Sequence, residues 1–388
     1  WSYLDWDAAV RKEATVFRNH SVFGEVVEDG PEVRQHPKFN VARLLTAWAV
    51  KGAECPEDAV PRVRGVYGGN DARDASGAKA VFERIASLPA SLHEVRLFLL
   101  VCVAMKWDIF LGDIEAAYLN AQAPPGSYVE FDDVWLPALN EEQRARYLEL
   151  KSQGKKVLVE LLMALYGHEL AGPLWENHFF RVLEKIGFER ANDVAPAMAI
   201  FKDTNGKIVA AILVYVDDFL LGGSRKFANF FCDALRKSGL RLKGDCITGL
   251  GKLLGCDYEQ INHDDGLVEF RIDMRKYGKH LVEQFEKVAP ELTLKKEKIP
   301  ADPKTHPNAV GKPKGLLADL APTLIGGLTW YARCGMATLS AAVNQIAQCL
   351  QNWTTTTDAA CRKIYGWIKS AAMKTVLVMY ARAGEELT

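Results

Sequence analysis

The stretch IVAAILVYVDDFLLGG, residues 208–223, places two adjacent aspartates, Asp217 and Asp218, inside an otherwise apolar run. In a protein core an unpaired carboxylate is so costly that it tends to take up a proton. The apolar residues on either side have the length and composition of two short strands. We therefore predict a hairpin whose turn carries both acids out to the edge of a sheet.

Length, charge and hydropathy limit the class of protein. A chain of 388 residues is long for one hydrophobic core, so we expect two or three packed units. With a formal net charge of −1, nucleic-acid binding cannot be inferred from overall charge, although a local basic groove is compatible with it. The longest apolar run without a charge, LFLLVCVAM, is about half as long as a membrane-spanning helix, so no membrane partner is expected.

Cysteine usage and the first residue indicate where the chain comes from. The eight cysteines contain no CxxC pair, which argues against a zinc site and indicates thiols in a reducing compartment. The chain begins with Trp1 and not with methionine. We therefore expect an intracellular protein, and a piece excised from a longer one.

Local signals around the hairpin predict an α+β fold. Ser91 and Glu94 have the spacing of a capping box at the start of a helix, and the AsnGly pair at 205–206 marks a second hairpin turn. The segment WDIFLGDIEAAYLNA predicts a strand that ends at Asp113 and is followed by a helix. This order of elements is typical of an antiparallel sheet with helices on one face. An all-helical tail is expected from about Ala321.

Three carboxylates form the candidate site. The strand that ends at Asp113 can pair beside the hairpin, which brings this side chain to the same sheet edge as Asp217 and Asp218. Clustered carboxylates raise one another's pKa unless a divalent cation screens them, and an all-oxygen set suits Mg²⁺. Two such ions about 4 Å apart stabilise both oxygens of an in-line phosphoryl transfer. The alternative is structural, because acidic turns are common and a strand-end aspartate often caps a helix.

Several ordered motifs extend this pattern. The segments GDIEAAYLNA, ALYGHELAGPLW and LVYVDDFLL, followed by LLGCDYEQ and GLVEFRIDMRKYGKHLVEQF, resemble in order and spacing the reverse transcriptase of copia-type LTR retrotransposons. The opening WDAAVRKEATVFRNHSVFGEVVE is also similar to that family. The resemblance covers most of the chain. It implies a right-hand polymerase, with fingers, a palm built on an antiparallel sheet with helices, and a thumb, followed by a helical connection segment.

The same resemblance implies a division of the chain. Residues 1–105 would form the fingers and the N-terminal part of the palm, and 106–255 the palm, with a fingers insertion at about 125–190. Residues 256–300 would form the thumb, whose lysines and arginines track phosphates of the duplex. Residues 301–388 would form the helical connection toward an RNase H domain that the sequence does not contain.

By position in the motifs, the resemblance assigns metal binding and catalysis to Asp113, Asp217 and Asp218, with Asp113 and Asp217 as the principal ligands. The backbone carbonyl of Ile114 would assist them. Tyr118 occupies the position of the aromatic gate that excludes a ribose 2′-OH. A buried helix aromatic is the alternative reading of this tyrosine.

Four further residues are expected to bind the substrate. Arg62 and Arg64, in RVRGVYG, resemble the fingers strand whose cations hold the incoming triphosphate, a task suited to the bidentate guanidinium. A solvated basic strand is the alternative. Tyr215 and Val216 precede the acidic pair, and we expect Val216 to face the primer end.

The function that follows is RNA-directed DNA polymerisation. The enzyme would use two Mg²⁺ ions, with Mn²⁺ as a substitute, to join the primer 3′-OH to the α-phosphate of a dNTP. Its partners would be an RNA or DNA template with its primer and dNTPs, in the cytoplasm within a virus-like particle or in the nucleus.

Two departures from the family favour a different class of function. Leu170 replaces a glutamine thought to contact the nucleotide, and GMA at residues 335–337 replaces the usual R-P-D. The alternative is a decayed or domesticated remnant that binds nucleic acid without polymerising. A palm-fold nucleotide cyclase is a third candidate, but it should carry a G-G-(D/E)-E-F turn and lack a thumb.

Overall fold

The computed structural model describes residues 4–51, 59–82, 89–191, 195–244, 247–248, 250–302, 312–370 and 376–382. The chain divides into two compact units, which agrees with the expected number. The first unit comprises residues 1–90, 112–221 and 225–246, and the second comprises residues 91–111, 222–224 and 247–388. The assignment of fingers, palm, thumb and connection to regions of the chain stays a prediction.

The first unit contains a sheet built around one long hairpin. Its strands lie in the order β1 (Phe23–Glu28), β7 (Val157–Leu161), β6 (Ser127–Glu130), β2 (Asn40–Lys51) and β3 (Val60–Tyr67), and β4 (Arg73–Asp74) pairs with β2. The pair β2 and β6 is parallel, whereas the others are antiparallel. The helices of this part are α1 (Trp6–Asn19), α2 (Pro31–Arg34) and α4 (Glu141–Ser152). Phe17 of α1 is fully buried, and its ring lies 5.3 Å from that of Trp135.

The second sheet carries the acidic hairpin. Its strands are, in order, β5 (Asp108–Asp113), β11 (Asp218–Gly223), β10 (Ile208–Tyr215), β9 (Met198–Lys202) and β8 (Phe188–Arg190). Residues 108–111 of β5 and 222–223 of β11 belong to the second unit, and the rest of these strands to the first. Helices α5 (Ala171–Ile186) and α6 (Arg225–Lys237) both pack on Phe219 of β11, through Phe179 at 6.4 Å and Phe231 at 5.6 Å between ring centroids. The predicted turn at 205–206 is confirmed, because Gly206 has φ +79° between β9 and β10.

The second unit combines helices with a third sheet. Helix α3 (Leu92–Ala104) begins with the predicted capping box of Ser91 and Glu94. The other helices of the second unit are α7 (Arg275–Val288), α8 (Ala321–Cys334), α9 (Ser340–Ala347) and α10 (Thr355–Ser370). Strand β12 (Ile247–Thr248) pairs with β5, and the sheet order is β13 (Lys252–Leu253), β14 (Cys256–Asn262), β15 (Leu267–Asp273) and β16 (Leu377–Arg382).

The expectation of an all-helical tail is therefore wrong at its end. Helices begin at Ala321 as predicted, but β16 pairs antiparallel with β15 over six residues. The segment LVMYAR contains strand-favouring residues. Pairing with it satisfies backbone groups that β15 would otherwise expose along its edge.

The cysteines agree only in part with the interpretation as thiols. Cys232 is disulfide-bonded, so that interpretation is wrong for it. Cys55 and Cys246 lie outside the described residues. Five others are free and buried, namely Cys102, Cys256, Cys334, Cys349 and Cys361. In the part of the chain that the structure describes, every helix is too short or too polar to cross a membrane.

Close packing of β5 against β11 gives the first testable prediction. A Cβ added to Gly112 would lie 2.1 Å from Cζ of Phe219, a ring that is itself buried. Because such overpacking forces side chains and backbone apart, Gly112→Ala should lower the free energy of unfolding by about 1–3 kcal/mol. Urea denaturation measures this change. The control is Gly326→Ala, which meets no atom within 4 Å and should raise stability by roughly 0.5–1 kcal/mol. Equal effects of the two changes would contradict the packing.

Candidate active site

The acidic hairpin turns through a strained two-residue loop. Strand β10 ends at Tyr215 and β11 begins at Asp218, so Val216 and Asp217 form the loop. Val216 has φ +55°, a left-handed conformation that is unusual for a β-branched residue. Both aspartates are only partly buried. The prediction that the hairpin lifts the two acids out of the apolar run is confirmed.

Two hydrogen bonds hold this loop from opposite chain segments. The indole Nε1 of Trp175 donates to the Val216 carbonyl at 2.6 Å, and the Ile114 N–H donates to the Asp217 carbonyl at 2.8 Å. Trp175 is buried on α5, with its ring stacked on Phe179 at 5.2 Å and 9°. A rigid aromatic pair and the end of β5 therefore fix the loop. Sequence reasoning missed Trp175 as a support, although it closes the motif ALYGHELAGPLW.

Strand β5 ends at Asp113, as predicted, but a regular helix does not follow it. Ala116 adopts the left-handed conformation, with φ +50°, and a single 3-10 turn spans Ala117–Asn120. The Asn120 side chain donates to the carbonyls of Glu115, Ala116 and Ala117 at 3.1–3.3 Å. Asparagine thus offers these carbonyls a local partner in place of helix N–H groups. The short turn leaves Tyr118 next to the acidic hairpin.

The three carboxylates influence one another electrostatically. Burial, followed by the charges of Asp217 and Asp113, raises the pKa of Asp218 to about 6, while Lys243 opposes the shift. Asp113 Oδ2 accepts a hydrogen bond from Lys243 Nζ at 2.5 Å. The other oxygen, Oδ1, is buried and has no hydrogen-bond partner. The structure therefore concentrates negative charge here and leaves one carboxylate oxygen unsatisfied.

This donor set fits a hard divalent cation. It consists of carboxylate oxygens, which Mg²⁺ prefers, and the unsatisfied Oδ1 of Asp113 is available as a ligand. Among the described residues, however, no group of three His, Cys, Asp or Glu side chains converges closely enough to hold an ion. That Asp113, Asp217 and Asp218 bind metal together, with the Ile114 carbonyl, stays a prediction.

Lys243 belongs to the site by backbone pairing as well as by charge. Its N–H donates to the Asp113 carbonyl at 2.9 Å, and the Glu115 N–H donates to the Arg241 carbonyl at 2.9 Å. The side chain itself is 55 % exposed. Sequence reasoning missed this lysine, because nothing in the residues after α6 indicates that they return to the end of β5.

Two tyrosines lie between the acidic turn and Arg64 of strand β3. The half-buried Tyr118 has a raised pKa, first because of burial and then because of the charge of Asp217 and the nearby Tyr215. Its ring centroid lies 5.2 Å from that of Tyr166, at an interplanar angle of 62°. The pKa of Tyr166 is also raised by burial, with a smaller contribution from Asp217. Tyr118 therefore lies within the electrostatic range of Asp217, and its contact with a sugar stays a prediction.

The two predicted triphosphate ligands differ in environment. Arg62 is exposed on β3. The Nη1 of Arg64 lies 3.3 Å from Oε1 of Glu13, and its guanidinium carbon lies 4.7 Å from the centre of the Tyr166 ring. Burial raises the pKa of Glu13, although Arg64 acts in the opposite direction. Glu13 has no motif around it, and sequence reasoning missed it.

Leu170, the departure from the family, begins α5 beside a cleft. It lines a space of about 930 Å³ together with Asn120, Asn177, His178 and Arg181. The Leu170 N–H donates to Nδ1 of His168 at 3.1 Å. Where the family motif has the amide side chain of glutamine, Leu170 therefore gives the wall of this cleft an apolar side chain.

The first half of the basic segment that begins at Arg271 is paired with acidic residues of the second unit. Arg271 contacts Glu269 at 2.5 Å, Arg275 contacts Asp273 at 2.5 Å, and Lys279 contacts Glu283 at 3.6 Å. These partners reduce the positive charge that the sequence suggested for phosphate tracking. The Lys279–Glu283 pair is exposed and contributes little to stability, whereas Glu269 is buried beneath Arg271.

A family model described as reverse transcriptase (RNA-dependent DNA polymerase) matches residues 74–291, more than half of the 388-residue chain. The chain therefore belongs to the reverse transcriptase family. The matched model is the one typical of copia-type elements. No curated protein matched the chain. Reverse transcriptase domains bind a nucleic-acid template with its primer and dNTPs, and they generally use divalent metals such as Mg²⁺.

The raised pKa of Asp218 predicts a pH-dependent stability. Its folded pKa of about 6 exceeds the unfolded value of 3.8, so the folded state loses stability as pH rises from about 4 to about 6. At pH 7, Asp218→Asn should therefore raise the free energy of unfolding on the order of 1 kcal/mol, after allowance for solvent screening. At pH 4 the gain should largely vanish. Urea denaturation at both pH values, with the exposed Asp264→Asn as control, measures it. A gain that is the same at both pH values would be inconsistent with the shift.

The Trp175 hydrogen bond predicts a defined loss of stability. Trp175→Phe keeps an aromatic ring beside Phe179 but removes the donor to the Val216 carbonyl. An unsatisfied carbonyl at this turn should lower the free energy of unfolding by about 1–3 kcal/mol. Trp330→Phe, at a side chain that is 38 % exposed, is the matched control and should have little effect. Unchanged thermal stability of Trp175→Phe would argue against the role of this bond.

Proposed function

We propose that the chain is the RNA-directed DNA polymerase of a copia-like retrotransposon. By two-metal nucleotidyl transfer, the primer 3′-oxygen bonds to the α-phosphate of a dNTP, and the bond to the β-phosphate breaks with release of pyrophosphate. The observation that carries the proposal is the hairpin turn of Asp217 and Asp218, hydrogen-bonded to Ile114 immediately after Asp113, in a chain of the reverse transcriptase family.

The carboxylates have distinct roles in this proposal. Asp113 and Asp217 are the principal metal ligands, Asp218 supports them, and the Ile114 carbonyl assists. When bound, two Mg²⁺ ions, or Mn²⁺ in their place, stabilise the attacking and leaving oxygens of the transfer. The unsatisfied Oδ1 of Asp113 and the raised pKa of Asp218 support this assignment, because both indicate a site that gains from a cation.

The surrounding residues bind the nucleotide and the primer. The half-exposed ring of Tyr118 contacts the sugar and excludes a 2′-OH. Arg62, exposed on β3, holds the triphosphate, with Arg64 beside it. Tyr215 and Val216 contact the primer end at the turn.

The remaining assignments follow the family. Residues 1–105 form the fingers and the N-terminal part of the palm, and 106–255 form the palm, with a fingers insertion at about 125–190. Residues 256–300 form the thumb, and 301–388 form a connection segment. The template is RNA or DNA paired with its primer. The enzyme works inside the cell, in cytoplasmic virus-like particles or in the nucleus.

Primer extension on an RNA template with Mg²⁺ and dNTPs tests the proposal. Asp217→Asn removes a proposed metal ligand without a large change in size. Extension by this variant should fall at least about a hundredfold, the scale on which electrostatic stabilisation of a transition state acts. Asp264→Asn, which changes an exposed turn residue of the second unit, should extend the primer as the unaltered chain does.

Two results would contradict the proposal. One is full activity of Asp217→Asn. The other is an unaltered chain that binds primer and template but incorporates no nucleotide, which would support the remnant alternative.

A further inference from the structure

Four side chains of the first unit form a continuous row from helix α1 to the catalytic turn. Glu13 contacts Arg64 at 3.3 and 3.5 Å, and the Arg64 guanidinium lies over the Tyr166 ring at 4.7 Å. The Tyr166 ring then meets Tyr118 edge to face at 5.2 Å. We call these four residues the arginine–tyrosine row. Of these four residues, Tyr118 is the one that is proposed to contact the sugar.

The first three members are fixed in place. Glu13 is 7 % exposed on α1, and Arg64 extends from β3, where the adjacent Val63 is buried. The backbone of Tyr166 is tied to the end of the same strand, because its carbonyl accepts a hydrogen bond from the Tyr67 N–H at 2.7 Å. The next residue, Gly167, packs so closely that a Cβ would lie 2.3 Å from the Tyr67 carbonyl oxygen. Arg64 and Tyr166 therefore share one rigid support.

Tyr118 has a weaker support of its own. It lies on the short 3-10 turn of Ala117–Asn120, and its ring is half-buried. Among the described residues, the ring of Tyr166 is the aromatic partner of the Tyr118 side chain, which makes no hydrogen bond with them. The orientation of Tyr118 thus depends on the face that Tyr166 presents to it.

The ion pair between Glu13 and Arg64 links Glu13 to the position of the aromatic rings in the row. A carboxylate this deeply buried is costly unless it is paired, and Arg64 is the cation that pairs with it. The planar guanidinium can bond Glu13 with its edge while its face covers an aromatic ring. Removal of either charge releases the other partner. Glu13 therefore holds Arg64 over Tyr166.

We propose that Glu13 and Arg64 act through Tyr166 to position the Tyr118 ring, and that this row sets the preference of the polymerase for deoxyribonucleotides. The inference rests on the proposed function, in which Tyr118 contacts the sugar. If the Tyr118 ring shifts or turns, it leaves room for a 2′-OH. The preference for dNTPs over rNTPs then falls, while Arg62 still binds the phosphates. Glu13, Arg64 and Tyr166 are positioning residues, because none of them contacts the sugar.

Competition between dNTPs and rNTPs in primer extension provides the first test. Glu13→Gln and Arg64→Met should each lower the ratio of kcat/KM for dNTP over rNTP on the order of tenfold, since a small misplacement of a positioning group costs up to about 100-fold. Arg62→Met should raise KM for both nucleotides and leave the ratio unchanged. Arg43→Met, with a side chain that is 80 % exposed on β2, is the control and should change neither quantity. An unchanged ratio in both Glu13→Gln and Arg64→Met overturns the inference.

A second measurement does not require polymerase activity. With 3-fluorotyrosine introduced at position 118 alone, the fluorine NMR resonance should shift in Arg64→Met and Glu13→Gln but not in Arg43→Met. A resonance that coincides with that of the parent chain in both variants overturns the positioning role, whatever the activity. If the unaltered chain extends no primer, the proposed function is overturned, and with it the proposed preference for deoxyribonucleotides. A fluorine resonance that shifts in Arg64→Met and Glu13→Gln would still support the positioning of Tyr118 by the arginine–tyrosine row.

Discussion

The hydrogen bond from the Trp175 indole to the Val216 carbonyl holds a backbone conformation that a β-branched residue rarely adopts. The Ile114 N–H holds the next carbonyl of the same turn. With both bonds in place, β10 and β11 can continue as buried apolar strands while the acids between them stay at the sheet edge.

The turn also determines the charge balance of the site. It brings Asp217 and Asp218 into the electrostatic range of Asp113. Burial, followed by repulsion from Asp217 and Asp113, disfavours the ionised form of Asp218. Lys243 offsets part of this charge through Asp113, yet Oδ1 of that residue remains unsatisfied. A divalent cation would relieve the repulsion and use the free oxygen. Concentrated strain and charge lower stability, and they are common at functional sites.

Local patterns predicted the features that depend on neighbouring residues. Apolar runs around two turns gave both hairpins, and the Ser91 capping box gave the start of α3. Contacts between distant segments left no such pattern. The pairing of Lys243 with Asp113 joins residues 130 positions apart, and that of Glu13 with Arg64 joins residues 51 apart. Strand β16 was missed for the same reason, since its partner β15 lies more than a hundred residues earlier.

A crystal structure of the chain soaked with Mn²⁺ and a dNTP, recorded at a wavelength where manganese scatters anomalously, tests the site most directly. We predict manganese peaks in contact with Asp113 and Asp217, with Asp218 beside them, and a Lys243 side chain that has left Asp113. Manganese bound only elsewhere, or Asp113 still paired with Lys243 and no peak at the turn, would contradict a metal-dependent polymerase site.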